Sequence, residues 1–226
     1  MSKFIASFFL SMIFFSGDVG AGVIIGATRV IFDADKKETS LTVNNPDNSA
    51  YLVQSWIEQQ DGVSGKAPFI ITPPLVRLDP EQKNVLRLVR AGGGFPEDKE
   101  SLFWLNIKSI PSTKAKTGQN TLQIAIKTRI KLIYRPSSLK SKAPEEFADK
   151  LKWQRTADGI KVDNPTPYYM NFYTVKLDGK TLDNVTFVAP YASVTWKSNK
   201  VSGAKNIIWQ LISDFGGVGA THTADL

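Results

Sequence analysis

Short apolar segments separated by turn residues constrain the fold of this chain more than any other feature. Tyr51 to Glu58, Val85 to Arg90 and Ser101 to Ile110 are rich in β-branched and aromatic residues, and turn signals recur about every 8–12 residues. The best helix candidate, Pro144 to Leu151, is only about two turns long. The pattern therefore predicts an all-β chain built from β-sandwiches.

A polar, basic stretch from Pro136 to Pro144 divides the β pattern into two parts. Such a composition is typical of a linker between domains. Strand-like segments resume at Lys152. We therefore predict one β-sandwich domain over residues 22–138 and a second over residues 146–226, joined by a linker over residues 139–145.

The first 21 residues carry the pattern of a secretory signal peptide. Lys3 precedes an apolar run from Phe4 to Phe15, and Val19-Gly20-Ala21 supplies the small residues that a signal peptidase reads. A membrane anchor is the alternative, but a spanning helix needs about 20 apolar residues. Cleavage after Ala21 predicts an exported, soluble protein with no membrane insertion.

The chain has no cysteine and a single histidine, His222, close to its C-terminus. These counts exclude cysteine nucleophiles, thiolate metal sites and iron–sulfur clusters. They also disfavour a Ser-His-Asp triad and a multi-histidine metal site. The glycine run Gly92 to Gly94 lacks the lysine of a phosphate-binding loop. We therefore expect no catalytic residues, no metal and no cofactor, and we expect a binding or assembly role.

The net charge of +7 belongs entirely to the first half of the chain. Nine Lys and Arg residues lie between Lys108 and Lys142, and no acidic residue occurs between Glu100 and Glu145. A solvated basic face is one interpretation. Nucleic acid is not expected as a partner, because the chain is predicted to be exported and has no recognised nucleic-acid motif. An acidic protein or a carboxylate is the remaining kind of partner.

The segment from Leu122 to Tyr134 alternates apolar and polar residues with a period of two. This pattern predicts a strand with one apolar face and one basic face. Its thirteen residues make it longer than a typical strand of about five or six. The apolar face could fill the domain's own core. Alternatively, the strand could extend past its sheet and present an apolar edge to another chain.

Seven short motifs, in order over nearly all of the chain after residue 21, carry a family resemblance. They are Thr28-Arg29-Val30-Ile31-Phe32, Thr72-Pro73-Pro74, Glu100-Ser101-Leu102-Phe103-Trp104-Leu105-Asn106, Ile110-Pro111, Lys131-Leu132-Ile133-Tyr134-Arg135-Pro136, Asn164-Pro165-Thr166-Pro167-Tyr168-Tyr169 and Asp214-Phe215-Gly216-Gly217. Together they closely resemble the periplasmic chaperones of the chaperone–usher pilus pathway, typified by the P pilus chaperone.

The resemblance implies a non-enzymatic protein of two immunoglobulin-like β-sandwich domains in an L or boomerang arrangement. Such chaperones bind pilus or fimbrial subunits that lack their own last strand, and they lend the subunit a strand called G1. This donor-strand complementation precedes delivery of the subunit to an outer-membrane usher. Motif matching assigns G1 to Leu122 to Tyr134, with Leu122, Ile124 and Ile126 as the residues that fill the subunit's groove.

The resemblance also implies roles for five charged residues. Arg29 and Lys131 match the family's cations that anchor the C-terminal carboxylate of the subunit in the cleft between the domains. Glu100, Arg135 and Asp214 match a buried charge network that fixes the angle between the domains. Lys131 lies on the basic face of the predicted strand, so either the strand bends there or the cleft lies on that face.

The resemblance leaves some features open. The loop from Ser112 to Asn120 is short, as in the branch of the family that builds rod-like pili, and a cysteine pair of the P pilus chaperone is missing. We expect that the free protein could cover its strand edge by forming a homodimer. The alternative function is that of a secreted structural or adhesive β-sandwich protein such as a pilus subunit, although a subunit would usually carry a disulfide and a single domain.

Overall fold

The computed structural model describes residues 22–60, 63–112, 122–198 and 203–226. The predicted signal peptide and most of the loop from Ser112 to Asn120 lie outside these residues. Within the described residues the chain forms seventeen strands and two short 3-10 helices, so the prediction of an all-β chain is confirmed. No helix in the described ranges is long and apolar enough to cross a membrane.

The first domain contains nine strands. They are β1 (Ile24–Ile25), β2 (Arg29–Asp33), β3 (Glu38–Asn44), β4 (Tyr51–Gln59), β5 (Phe69–Thr72), β6 (Leu75–Leu78), β7 (Lys83–Arg90), β8 (Ser101–Pro111) and β9 (Ile126–Arg135). A four-stranded sheet has the order β1-β3-β7-β5, and a five-stranded sheet has the order β2-β9-β8-β4-β6. The pair β2–β9 is parallel.

Alternate residues of both sheets of the first domain enter a shared core. Leu86 and Leu88 of β7 come from one sheet, and Leu105 of β8 and Leu132 of β9 come from the other; all four are fully buried. Full burial of such a side chain contributes about 1.5–3 kcal/mol. Aromatic rings extend this core with centroids 4.0–6.3 Å apart. These rings belong to Phe32, Phe69, Phe95, Phe103 and Tyr134.

The second domain contains eight strands. They are β10 (Lys152–Arg155), β11 (Gly159–Asp163), β12 (Met170–Leu177), β13 (Lys180–Thr181), β14 (Phe187–Val188), β15 (Ser193–Lys197), β16 (Asn206–Ile212) and β17 (Val218–Asp225). One sheet has the order β10-β11-β15, and the other has the order β13-β12-β16-β17, with β14 also paired to β12. Its core contains Phe172, Trp196 and Trp209, and the partly buried Trp153 packs against all three rings.

Two short 3-10 helices connect the domains, Ser137–Leu139 and Pro144–Lys150. The predicted linker, residues 139–145, overlaps both of them. Ala148 is fully buried in the core of the second domain, and the Phe147 ring stacks on Tyr168 with centroids 5.1 Å apart. The second helix therefore packs as part of the second domain.

The observed strand β9 is shorter than the strand predicted from Leu122 to Tyr134. Pairing between β8 and β9 begins at Ser109 and Ile126, and β8 itself ends at Pro111. At that register Pro111 would lie beside Ile124, yet residues 122–125 form no ladder and have no strand assignment. The prediction of a thirteen-residue strand was wrong at its start, because regular pairing with β8 begins only at Ile126.

The last strand, β17, was not predicted from the sequence. It pairs antiparallel with β16 from Asn206–Asp225 to Ile212–Val218 and forms an edge of its sheet. Its residues Val218-Gly219-Ala220-Thr221-His222-Thr223-Ala224-Asp225 are small and weakly apolar. An edge strand with few buried residues lacks the strong alternation that identifies a strand from sequence.

Candidate functional site

The two faces of strand β9 have different surroundings. Its even-numbered residues from Ile130 to Tyr134 are buried in the first domain's core. Its odd-numbered residues from Lys131 to Arg135 contact the second domain. The strand therefore does not need to bend to bring Lys131 to the interdomain cleft, because the cleft lies on the opposite side of the sheet from the core.

An apolar cluster joins the two domains beside this strand. Leu102 of β8 and Ile133 of β9 pack with Tyr169 of the second domain, and all three are buried. The backbone N–H of Glu100 donates to the Pro167 carbonyl at 2.9 Å. This contact holds the start of β8 against the Asn164-Pro165-Thr166-Pro167 turn. It therefore fixes the position of Glu100 relative to the second domain.

A three-residue ion network lies at the end of β9. Arg135 Nε donates to Glu100 Oε1 at 2.7 Å, and its Nη1 and Nη2 donate to the two carboxylate oxygens of Asp214 at 2.6 and 2.9 Å. The backbone N–H of Tyr169 donates to Glu100 Oε2 at 2.7 Å. We call Glu100, Arg135 and Asp214 the charge network; the structure brings together all three residues predicted for it.

Burial and pairing act on the charge network in opposite directions. Glu100 is 2% exposed, and this burial raises its pKa to about 7, although Arg135 and the Tyr169 N–H act to lower it. Burial alone would lower the pKa of Arg135, but the hydrogen bonds and charges of Asp214 and Glu100 raise it. Arg135 is thus held as a cation between two carboxyl groups.

The turn after β16 explains how Asp214 reaches the first domain. Gly216 N–H donates to Ser213 O at 2.9 Å and Ser213 N–H donates to Gly217 O at 2.8 Å. Gly216 has a φ of 84°, and a Cβ there would lie 2.3 Å from Thr28 Oγ1. Only glycine fits this contact, so the turn sits directly against the first domain and carries Asp214 to Arg135.

Arg29 and Lys131 lie side by side in the parallel pair of β2 and β9. We call them the cation pair. Arg29 is 8% exposed; its Nη1 donates to the Ile212 carbonyl at 3.3 Å, and its buried Nε has no hydrogen-bond partner in the described structure. Burial lowers the pKa of Arg29, while the more distant charges of Asp214 and Glu145 oppose that shift.

Lys131 is held by neutral groups of the second domain. Its Nζ donates to Asn171 Oδ1 and lies 4.5 Å from the centroid of the Phe187 ring. Burial lowers the pKa of Lys131 to about 8, and the positive charge of Arg29 lowers it further in the same direction. Both members of the cation pair are thus desolvated in the cleft.

Neither member of the cation pair forms an ion pair within the described residues. Two adjacent buried cations without a counterion are unfavourable, because desolvation and mutual repulsion both disfavour their charged forms. An anion placed between them would form charge-assisted hydrogen bonds with both. The arrangement is therefore suited to binding a carboxylate. Nowhere in the described ranges do three or more potential metal-ligating side chains cluster.

The three predicted donor residues lie on the exposed continuation of β9. Exposure falls along the segment from 88% at Leu122 through 65% at Ile124 to 50% at Ile126. On the edge opposite β8, β2 covers β9 only from Lys131 to Arg135. Residues 126–130 have no partner strand on that edge in the described part of the chain. An open strand edge with apolar side chains therefore ends at the cation pair.

Sequence reasoning missed the second-domain residues of this site. Asn171 and Phe187 contact Lys131, and the Ile212 carbonyl contacts Arg29. All three lie at least 40 positions away along the chain from the cation they contact. Asn171 follows the Asn164 to Tyr169 motif closely, and that proximity was the available signal. Pairing across two domains cannot be read from local patterns.

Both domains match known family models. Residues 22–140 match the N-terminal domain of PapD, described as a pili and flagellar-assembly chaperone. Residues 146–223 match the C-terminal domain of the pili assembly chaperone PapD. These two matches cover nearly all of the described chain, and they bear on both halves of the site.

Whole-chain comparisons agree with the domain matches. The chaperone protein FocC of Escherichia coli is 46% identical over 199 residues, 87% of this chain and 86% of that protein. The chaperone protein FimC of Escherichia coli K12 is 44% identical over 204 residues, 89% of this chain and 83% of that protein.

Solved structures extend the agreement to the fold. A chain of the Salmonella enterica SafA pilin–SafB chaperone complex matches with a TM-score of 0.84 and 39% identity, covering 91% of this chain and 96% of that one. The periplasmic chaperone SfaE matches with a TM-score of 0.76 and 40% identity, covering 89% and 98%. The chain belongs to the PapD family of pilus-assembly chaperones, which are not enzymes.

Proposed function

We propose that this chain holds an incomplete pilus or fimbrial subunit in its interdomain cleft by donor-strand complementation. The observation that carries the proposal is the junction of an open strand edge with the cation pair, Arg29 and Lys131. No described carboxylate pairs with either residue. A subunit would supply both missing components, a strand for the edge and a terminal carboxylate for the cations.

The direction of β2 supports the orientation of the bound strand. Along Lys131 to Arg135, β2 occupies the edge of β9 and runs parallel to it, beginning at Arg29. A subunit strand that enters the open part of the same edge in the same direction would end where β2 begins. Its terminal carboxylate would then lie at the cation pair and accept charge-assisted hydrogen bonds from both side chains.

The exposed apolar side chains support groove filling. Leu122, Ile124 and Ile126 continue the even-numbered face that Ile130 begins inside the core. Burial of each in a subunit's groove would contribute about 1.5–3 kcal/mol. Backbone pairing supplies affinity in strand addition, and the alternate side chains supply specificity.

The charge network would serve the same cleft indirectly. Arg135 joins Glu100 of the first domain to Asp214 of the second, so it opposes a change in the angle between domains. A fixed angle keeps Arg29 and Lys131 at one separation from Asn171. In this proposal the network positions the cleft and takes no part in binding the subunit.

The proposed site of action is the periplasm. The predicted cleavage of residues 1–21 would release the chain there, and the subunit would then pass to an outer-membrane usher. A free chain could cover the open edge of β9 with that of a second copy. The alternative function, that of a structural or adhesive pilus subunit, is disfavoured, since relatives that match most of the chain, across both domains, are chaperones.

Recovery of a pilin from the periplasm tests the proposal. The SafA pilin is a suitable probe because SafB, the chaperone in its complex, is similar to this chain. Coexpression with the wild-type chain should give soluble pilin. Arg29→Ala and Lys131→Ala should abolish recovery while the variants remain folded, and the exposed Lys83→Ala should behave as the wild type. Normal pilin yields with both anchor variants would contradict the assignment of the cation pair.

A further inference from the structure

The hydrogen bond between Lys131 and Asn171 crosses the interface between the two domains. Lys131 lies on β9 of the first domain, and its Nζ donates to Oδ1 of Asn171 on β12 of the second. Asn171 is 3% exposed, so water has little access to this hydrogen bond. A buried polar side chain is normally hydrogen-bonded, and the partner of this amide oxygen is a cation.

The hydrogen bonds of Asn171 permit only one orientation of its amide. An ammonium can donate but not accept, so the amide oxygen must face Lys131. Nδ2 lies on the other side and donates to the Tyr169 carbonyl at 3.3 Å. The backbone N–H of Tyr169 donates to Glu100 at 2.7 Å, and the Tyr169 side chain is buried in the apolar cluster between the domains. The position of Asn171 is therefore tied to residues that hold the two domains together.

A second neutral group contacts the same ammonium. Asn171 of β12 lies opposite Phe187 of β14 in an antiparallel pair, and opposed residues of such a pair have their side chains on one face. The Phe187 ring centroid lies 4.5 Å from Lys131 Nζ. An amide oxygen and a ring face therefore contact the ammonium together, and neither carries a formal charge.

The neutrality of these groups determines what Lys131 can still bind. An ammonium has three N–H donors, and Asn171 accepts from one of them. A carboxylate at position 171 would form an ion pair with Lys131 and would repel a second carboxylate. An amide orients the lysine without neutralising it. Arg29 is the charged group of the described chain that shifts the pKa of Lys131, and its charge is positive.

We infer that Asn171 is a positioning residue for binding the C-terminal carboxylate of the subunit: its neutral oxygen orients Lys131 across the domain interface and leaves the ammonium charge available to that carboxylate. This inference rests on the proposed function, because the carboxylate of the subunit is the ligand. It makes the second domain part of the anchor, since Lys131 is oriented only while β9 and β12 remain together. Asn171 acts through Lys131 and does not need to contact the subunit.

Two substitutions of similar size separate the orientation of Lys131 from its charge. Asn171→Asp retains an acceptor and adds a negative charge, whereas Asn171→Leu removes the acceptor and adds no charge. The matched control is Asn48→Asp, which makes the same change of charge at an exposed position in the turn before β4. The first residue of β4 pairs with Pro111, at the end of β8 away from the domain interface. Urea unfolding checks that each variant is folded.

Two synthetic peptides report the effect on binding. One is an extended Val/Thr peptide with a free C-terminal carboxylate, called the strand peptide, and the other is the same peptide amidated at its C-terminus. Asn171→Asp should weaken the strand peptide's binding about tenfold or more, because the new carboxylate pairs with Lys131 and repels that of the peptide. It should change binding of the amidated peptide less than about threefold. Asn171→Leu should weaken the strand peptide's binding about two- to tenfold, the effect of one neutral hydrogen bond. Asn48→Asp should change it less than about twofold, because solvent and salt screen an exposed charge.

Titration of Lys131 in the free chain is a measurement that a purely structural role of Asn171 would not affect. Lysine labelled with ¹³C at Cε reports the titration, and Lys131→Met identifies the signal of Lys131. The pKa of Lys131 is about 8 in the wild-type chain. Asn171→Asp should raise this pKa, because a neighbouring negative charge favours the ammonium form. Asn171→Leu should lower it, because the ammonium loses a hydrogen bond that favours its charged form.

Two outcomes would overturn the inference. One is an Asn171→Asp variant that retains the wild-type preference for the strand peptide over the amidated peptide. The other is equal weakening of both peptides by both variants with an unchanged titration of Lys131, as expected of a residue that serves only the fold. In both cases, a wild-type chain that prefers the strand peptide still supports the proposed function. A wild-type chain that binds neither peptide, or binds both equally, would contradict the proposed function itself. If Asn171→Asp does not fold, Asn171→Leu decides the inference by the same two measurements.

Discussion

The charge network and the cation pair are close neighbours on one strand, yet their charges are arranged in opposite ways. Arg135 has two carboxyl partners, Glu100 and Asp214, at hydrogen-bonding distance. Lys131 lies four residues earlier on β9, and among the described residues its partners are the neutral Asn171 and Phe187. Both positions are desolvated by the same domain interface.

The difference separates a structural site from a binding site. A buried charge that serves the fold is normally paired within the fold, because an unpaired one is costly. The cation pair has no such partner among the described residues, so an anion from outside the chain is the missing component. Proteins tolerate unfavourable local features of this kind mainly at functional sites.

Breaking the charge network should have the largest effect on stability. Arg135→Ala leaves Glu100 buried without its cation, and removal of one partner of a buried ion pair costs about 3–5 kcal/mol. We expect urea unfolding to report a loss of that size in the free energy of unfolding. Arg129→Ala, which removes an exposed arginine from the same strand, is the control and should cost far less. A loss below about 1 kcal/mol for Arg135→Ala would mean that the network does not hold the interface.

A substitution in the donor segment should affect the binding of a pilin and not the stability of the chain. Ile124 is 65% exposed, so Ile124→Asp should change the free energy of unfolding by less than about 0.5 kcal/mol. It should weaken pilin binding by at least about 3 kcal/mol, because an apolar contact is lost and a carboxylate would enter an apolar groove. Ile130→Asp, inside the core, should instead unfold the chain. An unfolded Ile124→Asp variant would indicate that Ile124 belongs to the core.

Removal of the Lys131 charge should distinguish the cation pair from the charge network most clearly, because it should affect binding and not stability. Lys131→Met retains an apolar stem over Phe187 and should not lower the free energy of unfolding, since the charge it removes has no ionic partner. It should weaken the binding of the strand peptide, the extended Val/Thr peptide with a free C-terminal carboxylate, by about 1.5–3 kcal/mol, the range for a hydrogen bond to a charged group. Isothermal calorimetry and urea unfolding of the same preparation test both statements. A Lys131→Met variant that is destabilised but binds the strand peptide with unchanged affinity would show that Lys131 has a structural role and not a binding role.

Binding of the strand peptide should depend on pH through Lys131. Burial lowers the pKa of free Lys131 to about 8, and a bound carboxylate would raise it. The full interaction is therefore present below about pH 8 and declines as pH rises above it, by up to about 1.4 kcal/mol per pH unit. Titrations from pH 7.5 to 9.5 should show this decline together with proton uptake on binding. Lys131→Met should remove most of the pH dependence.

The family resemblance carried by the short motifs was sufficient to predict the charged residues of the cleft. Glu100, Arg135 and Asp214 meet as expected, although 79 positions separate Arg135 from Asp214. Arg29 and Lys131 also lie together. The apolar alternation identified the strand but not its start, because the start depends on where regular pairing with β8 begins. The alternative that this strand extends past its sheet agrees with the exposed residues from Leu122 to Ile126.

Features made by long-range neutral contacts could not be predicted. Asn171 and Phe187 carry no sequence pattern that associates them with Lys131. The final strand from Val218 to Asp225 pairs through its backbone and buries few side chains, so its sequence lacks strong periodicity. Such features depend on the assembled domains, and only the charged and strongly alternating positions are visible beforehand.

The most direct test of the central claim compares the strand peptide with the same peptide amidated at its C-terminus. The two ligands share every side chain and backbone hydrogen bond along β9, and they differ only in the carboxylate offered to Arg29 and Lys131. We predict that amidation weakens binding to the wild-type chain by about 1.5–3 kcal/mol and has little effect on the Arg29→Ala/Lys131→Met variant. Equal affinity of the two peptides for the wild-type chain would contradict the claim that the cation pair is a carboxylate site.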